Sequence, residues 1–153
     1  MIGWGLARYG FKHAAATLLS SIFDLSLQAE FYRLPELVCG FNRQDGIGPT
    51  LYPVACSPQA WSAGALFLLL EACLGIQIDA PREKIQFLNP VLPPFLNELQ
   101  ITNLEMGVRS IDVHIRQDRG DVSINVREKR GDAEVTIKKS KTNDLRGVGV
   151  PAD

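Results

Sequence analysis

The stretch Arg33-Leu34-Pro35-Glu36-Leu37-Val38-Cys39-Gly40-Phe41 sets a single carboxylate among apolar neighbours. Pro35 fixes its own φ and drives Leu34 into an extended conformation, so the backbone is stiff and non-helical here. Gly40 lets the chain turn away sharply. A carboxylate on such a loop can be aimed at a reacting group, and the dryness of its surroundings sets its proton affinity. The plainer reading of the same residues is a solvated loop glutamate with packed neighbours. Cys39 and Cys56 flank the loop, but no CxxC pair and no nearby histidine gives them a metal-binding spacing. The two histidines, His13 and His114, leave both thiols without an obvious base. Neither a metal nor an organic cofactor is expected.

The elements that must position this loop follow from periodicity. Ile2–Tyr9 reads as a helix end closed by Gly10. A second helix is expected from about Lys12 to Phe31, with Ala15, Leu18, Leu19, Ile22, Phe23 and Leu27 at three- and four-residue spacing. Asn42–Pro49 is a turn-rich connector holding Asp45-Gly46 and Gly48-Pro49. A third helix is expected from Pro58 to Leu74, with Ser57 as N-cap and Gly75 as its stop. Its run from Ala60 to Leu70 has almost no polar face, which predicts burial on all sides.

After Gly75 the period falls to 2. Ile76/Ile78, Ile85/Phe87, Leu99/Ile101, Ile111/Val113/Ile115, Val122/Ile124/Val126 and Val135/Ile137 alternate with polar residues, the pattern of a half-buried antiparallel sheet. Two similar hairpin turns, Arg116–Asp121 and Arg127–Asp132, each contain Arg-Gly-Asp. They read as repeated glycine turns rather than adhesion motifs. The expected organisation is therefore a helical part over 1–75, a β-rich segment over 76–139 and a frayed polar tail over 140–153.

Bulk properties narrow the classes. At 153 residues with 46% apolar and 22% charged residues, the composition is that of an ordinary globular chain. A formal net charge of −1 gives no attraction to nucleic acid or to an anionic membrane. The first ten residues lack the apolar core and cleavage site of a signal peptide, and the odd count of three cysteines points to reduced thiols; both favour a cytoplasmic location.

Three segments together resemble a known family. Gly5-Leu6-Ala7-Arg8-Tyr9-Gly10-Phe11, Arg33-Leu34-Pro35-Glu36-Leu37-x-Cys39-Gly40-Phe41 and Tyr52-Pro53-x-Ala55-Cys56-Ser57-Pro58-Gln59-Ala60-Trp61-Ser62-Ala63-Gly64 resemble, in this order, the C-terminal end of bacterial amylo-α-1,6-glucosidases. The resemblance implies an α+β fold in which the three helices are the last part of an incomplete (α/α)6 six-hairpin barrel, followed by an antiparallel β segment. It implies a C-terminal fragment of an inverting α-glucosidase acting on α-1,6 branches of glycogen-like polysaccharide. Such enzymes set two carboxyl groups about 6.5–9.5 Å apart so that a water fits between one of them and the sugar. Glu36 takes the place of the general base, held by hydrogen bonds from Arg33 or Tyr32. The general acid belongs to an upstream barrel portion, so the chain by itself is expected to be inactive. Arg33, Tyr52, Gln59 and Trp61 are the substrate-binding candidates, although Trp61 and Tyr52 read equally as packing residues and Gln59 as an exposed first-turn residue. Expected partners are an oligo- or polysaccharide, the upstream portion and a second copy by self-association. Two other readings stay open: a non-catalytic carbohydrate-binding or assembly module, and a related barrel hydrolase for another sugar.

Overall fold

The computed structural model describes residues 1–139; the tail from Ser140 lies outside the described residues. Three helices come first: α1 (Ile2–Arg8), α2 (Lys12–Gln28) and α3 (Ser62–Leu74). Gly10 at φ 90° ends α1, and the bonds Phe11 N–H to Leu6 O (2.8 Å) and Gly10 N–H to Ala7 O (3.2 Å) make a Schellman closure. Ala15, Ala16 and Leu19 of α2 meet Leu69 and Cys73 of α3 in one apolar cluster. Lys12 reaches across to donate to the Ala72 (2.6 Å) and Cys73 (3.2 Å) carbonyls, where the last turn of α3 has no helical donors left.

α3 stops at Gly75, whose φ of 63° lies in the left-handed region. A Cβ there would collide with the Leu88 carbonyl oxygen and stand 2.8 Å from the Lys12 ammonium, so only glycine fits. The chain then enters six strands: β1 (Ile76–Asp79), β2 (Lys84–Leu88), β3 (Glu98–Met106), β4 (Arg109–Asp118), β5 (Asp121–Arg130) and β6 (Glu134–Lys138). All six fall on the alternating segments. They form two three-stranded sheets, one in the order β1-β2-β6 and one in the order β3-β4-β5. Their inner faces share a single core with the end of α3, built around Leu74, Phe87, Ile111, Val113 and Ile115. Between the sheets the connector at 89–97 is pinned to α2 by Phe95, which stacks on Phe23 at 4.6 Å between ring centres.

Several expectations are corrected. The incomplete (α/α)6 barrel is absent: the described residues give three helices and two small sheets, a mixed α+β architecture without repeated helical hairpins. The cause is the stretch between α2 and α3. Pro35, Pro49, Pro53 and Pro58 with Gly40, Gly46 and Gly48 leave only one 3-10 turn (Glu30–Tyr32) there, so no further helix stands between α2 and α3 to build a repeat of hairpins. That turn also ends α2 at Gln28 rather than Phe31, because Phe31 (φ 53°) and Tyr32 (φ 57°) are left-handed. The β part is not wholly antiparallel, since β6 runs parallel to β2. The Arg127–Asp132 turn therefore does not close a hairpin as the Arg116–Asp121 turn does between β4 and β5; it sends the chain into the other sheet. Nor is α3 buried on all sides. Leu69, Ala72, Cys73 and Leu74 are buried, whereas Phe67 is 76% exposed.

Burial of Cys73 has a chemical consequence. It pushes the thiol up to about 11, against the opposing pull of the Lys12 charge. In thiol titration with Ellman's reagent, Cys56 and the half-buried Cys39 are expected to react on mixing. Cys73 reacts only as the chain unfolds; rapid labelling of all three thiols would contradict this packing.

Candidate functional site

The Leu34–Glu36 loop is fastened to the segment that leads into α3. The Glu36 N–H donates to the Cys56 carbonyl at 2.8 Å, and the Cys56 N–H donates back to the Glu36 carboxylate at 3.2 Å. The Gln59 N–H donates to the Leu34 carbonyl at 3.0 Å, and the Ser62 hydroxyl donates to the Pro35 carbonyl at 3.1 Å. Leu34 is buried beneath this seam and Ser62 is buried with it, so the loop is anchored from below while the Glu36 side chain stays exposed. Farther along, Val38 bridges Leu51 and the Cys39 N–H donates to the Thr50 carbonyl at 2.9 Å. Residues 34–39 and 50–62 thus run side by side, joined mostly through backbone groups.

This arrangement moves the expected start of α3. Residues 56–59 are held against the loop, so the helix begins at Ser62 with Trp61 as N-cap and Ser57 caps nothing. The donor to Glu36 is also not the expected one: the Cys56 backbone N–H takes the place foreseen for Arg33 or Tyr32, both of whose side chains are exposed. Gln59 turns its side-chain oxygen back to accept from the Ala60 N–H at 3.1 Å. Trp61 is 64% exposed and Tyr52 is exposed as well, which removes the core reading for both. Glu36, Gln59 and Trp61 are therefore brought onto one clamped unit, Tyr52 opens the turn that precedes it (Ala55 N–H to Tyr52 O, 3.0 Å), and Arg33 stands just outside.

A concavity lies beside the same loop. A cleft of about 630 Å³ opens between Ser21–Gln28 of α2 and residues 38–50. Phe41, Asn42, Arg43 and Asp45 line it from the loop, and Asp24 and Gln28 from the helix; Glu36 is not part of its wall. Arg43 approaches Asp24 at 3.5 Å, with both side chains well exposed. The sequence marked Asn42–Pro49 only as a connector, and Asp24 and Gln28 fall outside the apolar spacing of α2. The spacing that reveals the helix gives no sign of a loop folding back over that face.

A second polar cluster sits on the outer face of the β3-β4-β5 sheet. His114, 7% exposed, contacts the Glu98 carboxylate through Nε2, and Arg127 donates to its Nδ1 at 3.1 Å. Because a guanidinium can only donate, Nδ1 accepts and the proton of a neutral ring sits on Nε2, facing Glu98. The hydrogen bond to His114, with the nearby Arg116 charge, holds the Glu98 carboxyl below its ordinary 4.5. A carboxylate lowered by folding contributes stability that is present above its ordinary value and lost as pH falls through the folded one. Urea midpoints measured at about pH 6 and about pH 3 are expected to differ less in Glu98→Gln than in the parent chain; equal differences would remove Glu98 from the acid response.

Among the described residues, no group of three or more His, Cys, Asp or Glu side chains gathers as a metal site, and no helix is long and apolar enough to cross a membrane. Comparison with protein families, with curated proteins and with solved structures finds no match for the chain.

Proposed function

We propose that the chain carries the water-activating carboxylate, Glu36, of an inverting α-glucosidase that hydrolyses α-1,6 branch linkages of glycogen-like polysaccharide. The observation that supports this reading is the reciprocal pair of bonds between Glu36 and Cys56, which joins two of the three resembling segments into one rigid unit. The Cys56 N–H holds the carboxylate in place, and the exposed position leaves its other lone pairs free for water. The leaving oxygen takes its proton from a second carboxylic acid in polypeptide that this chain is joined to or assembles with. Without that partner the chain binds sugar and does not cleave it.

The test is to join the chain in frame to its upstream polypeptide and follow the anomer released from α-1,6-glucosyl stubs by proton NMR. Inversion yields β-glucose first. First release of α-glucose, or no glucose at all, overturns the proposal. A second reading, a non-catalytic carbohydrate-binding module, draws on the exposure of Trp61 and Tyr52, whose rings can face a pyranose. It predicts saccharide binding in every form of the protein and turnover in none.

A further inference from the structure

We propose that His114 is a proton-operated latch on the outer face of the β3-β4-β5 sheet: its neutral ring ties β5 to β3 through Arg127 and Glu98, and one added proton expels Arg127 while keeping Glu98. The latch stands on the geometry of this sheet and owes nothing to the chemistry of Glu36.

The backbone sets the three groups in a row. Ile111, Val113 and Ile115 are buried in the core, so alternation turns His114 to the outer face of the central strand, opposite Gln100 of β3 and Asn125 of β5. Glu98 comes from the start of β3, where it opposes Arg116. Arg127 comes from a bulge in β5: Val126 opposes Val113 and Glu128 opposes Asp112, so Arg127 is an extra residue with none opposite. A bulge re-aims the side chain it carries, and this one sets the guanidinium 3.1 Å from Nδ1. The ring is thus buried between two exposed residues of opposite charge, one from each outer strand.

Each ring nitrogen has one part. Nδ1 accepts from Arg127 and Nε2 donates to Glu98. A second proton can go only to Nδ1. An imidazolium carries N–H on both nitrogens, so Nδ1–H then faces a guanidinium N–H with no acceptor between them and two like charges in contact. That pair must part. On the other side the same proton makes the Nε2 bond charge-assisted. The bond from His114, with the nearby Arg116 charge, already favours the ionised form of Glu98. Arg116 flanks the row on β4, 3.4 Å from Glu98. Asp112 of β4 and Glu128 of β5 stand opposite each other and line a polar concavity beside the bulge, so the released guanidinium has counter-charge close by.

The experiment is an acid titration of the full chain followed by nitrogen NMR of both histidine rings and of the Arg127 guanidinium, with the exposed His13 as internal reference. The neutral His114 ring is expected to show the Nε2–H tautomer, and the Arg127 side-chain signals to move with the same midpoint as the ring. Arg127→Gln, whose amide oxygen can accept from a protonated Nδ1, is expected to let the ring take its second proton at least about tenfold more readily, whereas Arg127→Lys, still a cation and only a donor, keeps the parent behaviour. An Nδ1–H tautomer, Arg127 signals that stay still while the ring protonates, or glutamine and lysine variants that titrate alike overturn the latch. The parent chain decides the first two without any substitution.

Discussion

Glu36→Gln, placed in the assembled hydrolase, is expected to lower kcat by about 10²–10⁴ while leaving KM within about threefold. The substitution keeps the shape of the side chain. The amide oxygen can still accept from the Cys56 N–H, so the seam between residues 34–39 and 50–62 remains closed. What it removes is the capacity to take a proton from water. A group that acts only as the bond to water forms affects the transition state and not the ground-state complex, hence a fall in kcat without a matching rise in KM. Turnover within about threefold of the parent would remove Glu36 from the mechanism. A rise in KM with kcat preserved would instead make it a sugar-binding residue.

Phe87→Ala is expected to cost about 3–5 kcal/mol of folding stability. Phe87 has no exposed surface and is among the largest fully buried side chains of the described residues. It stands in the middle strand of its sheet, opposite Ile76 of β1 and Ile137 of β6, and belongs to the core beneath both sheets. Neighbours held by two strand pairings cannot close over the space the ring leaves. Against a total stability of about 5–15 kcal/mol, such a loss is a large shift in the urea midpoint. Phe67→Ala, on the open side of α3, is the matched control and should stay within about 0.5 kcal/mol. Equal effects of the two substitutions would contradict the burial pattern.

The strands were legible because each buries one face: Ile111, Val113 and Ile115 alternate with Asp112, His114 and Arg116 so regularly that period 2 leaves little choice. Helix stops at Gly10 and Gly75 were legible for a similar reason, since a left-handed residue must sit there. The barrel was not in the residues themselves. It entered through the resemblance, and the proline- and glycine-rich run from Pro35 to Pro58 argues against another helix in that interval. The partner of β6 was hidden because Val135 and Ile137 specify a face but not a neighbour, and the local turn pointed to β5. At the candidate site, Glu36 was legible as a carboxylate on a stiffened loop. Its hydrogen-bond donor was not, because a backbone N–H has no side-chain signature. The open side of α3 shows a limit of composition: an apolar run states how much surface is unfavourable in water and not which part is covered.

The parallel pairing of β2 with β6 reaches beyond the native contacts. Lys84 meets Glu134 and Gln86 meets Thr136 across fifty residues, with the whole β3-β4-β5 meander threaded between them. During synthesis the first sheet must wait as an unfinished two-stranded ribbon until Lys138 has left the ribosome, while the later meander can zip up from neighbours alone. A nascent chain halted before Glu134 would therefore present the outer rim of β2, with its unpaired amides, to chaperones or to other nascent chains.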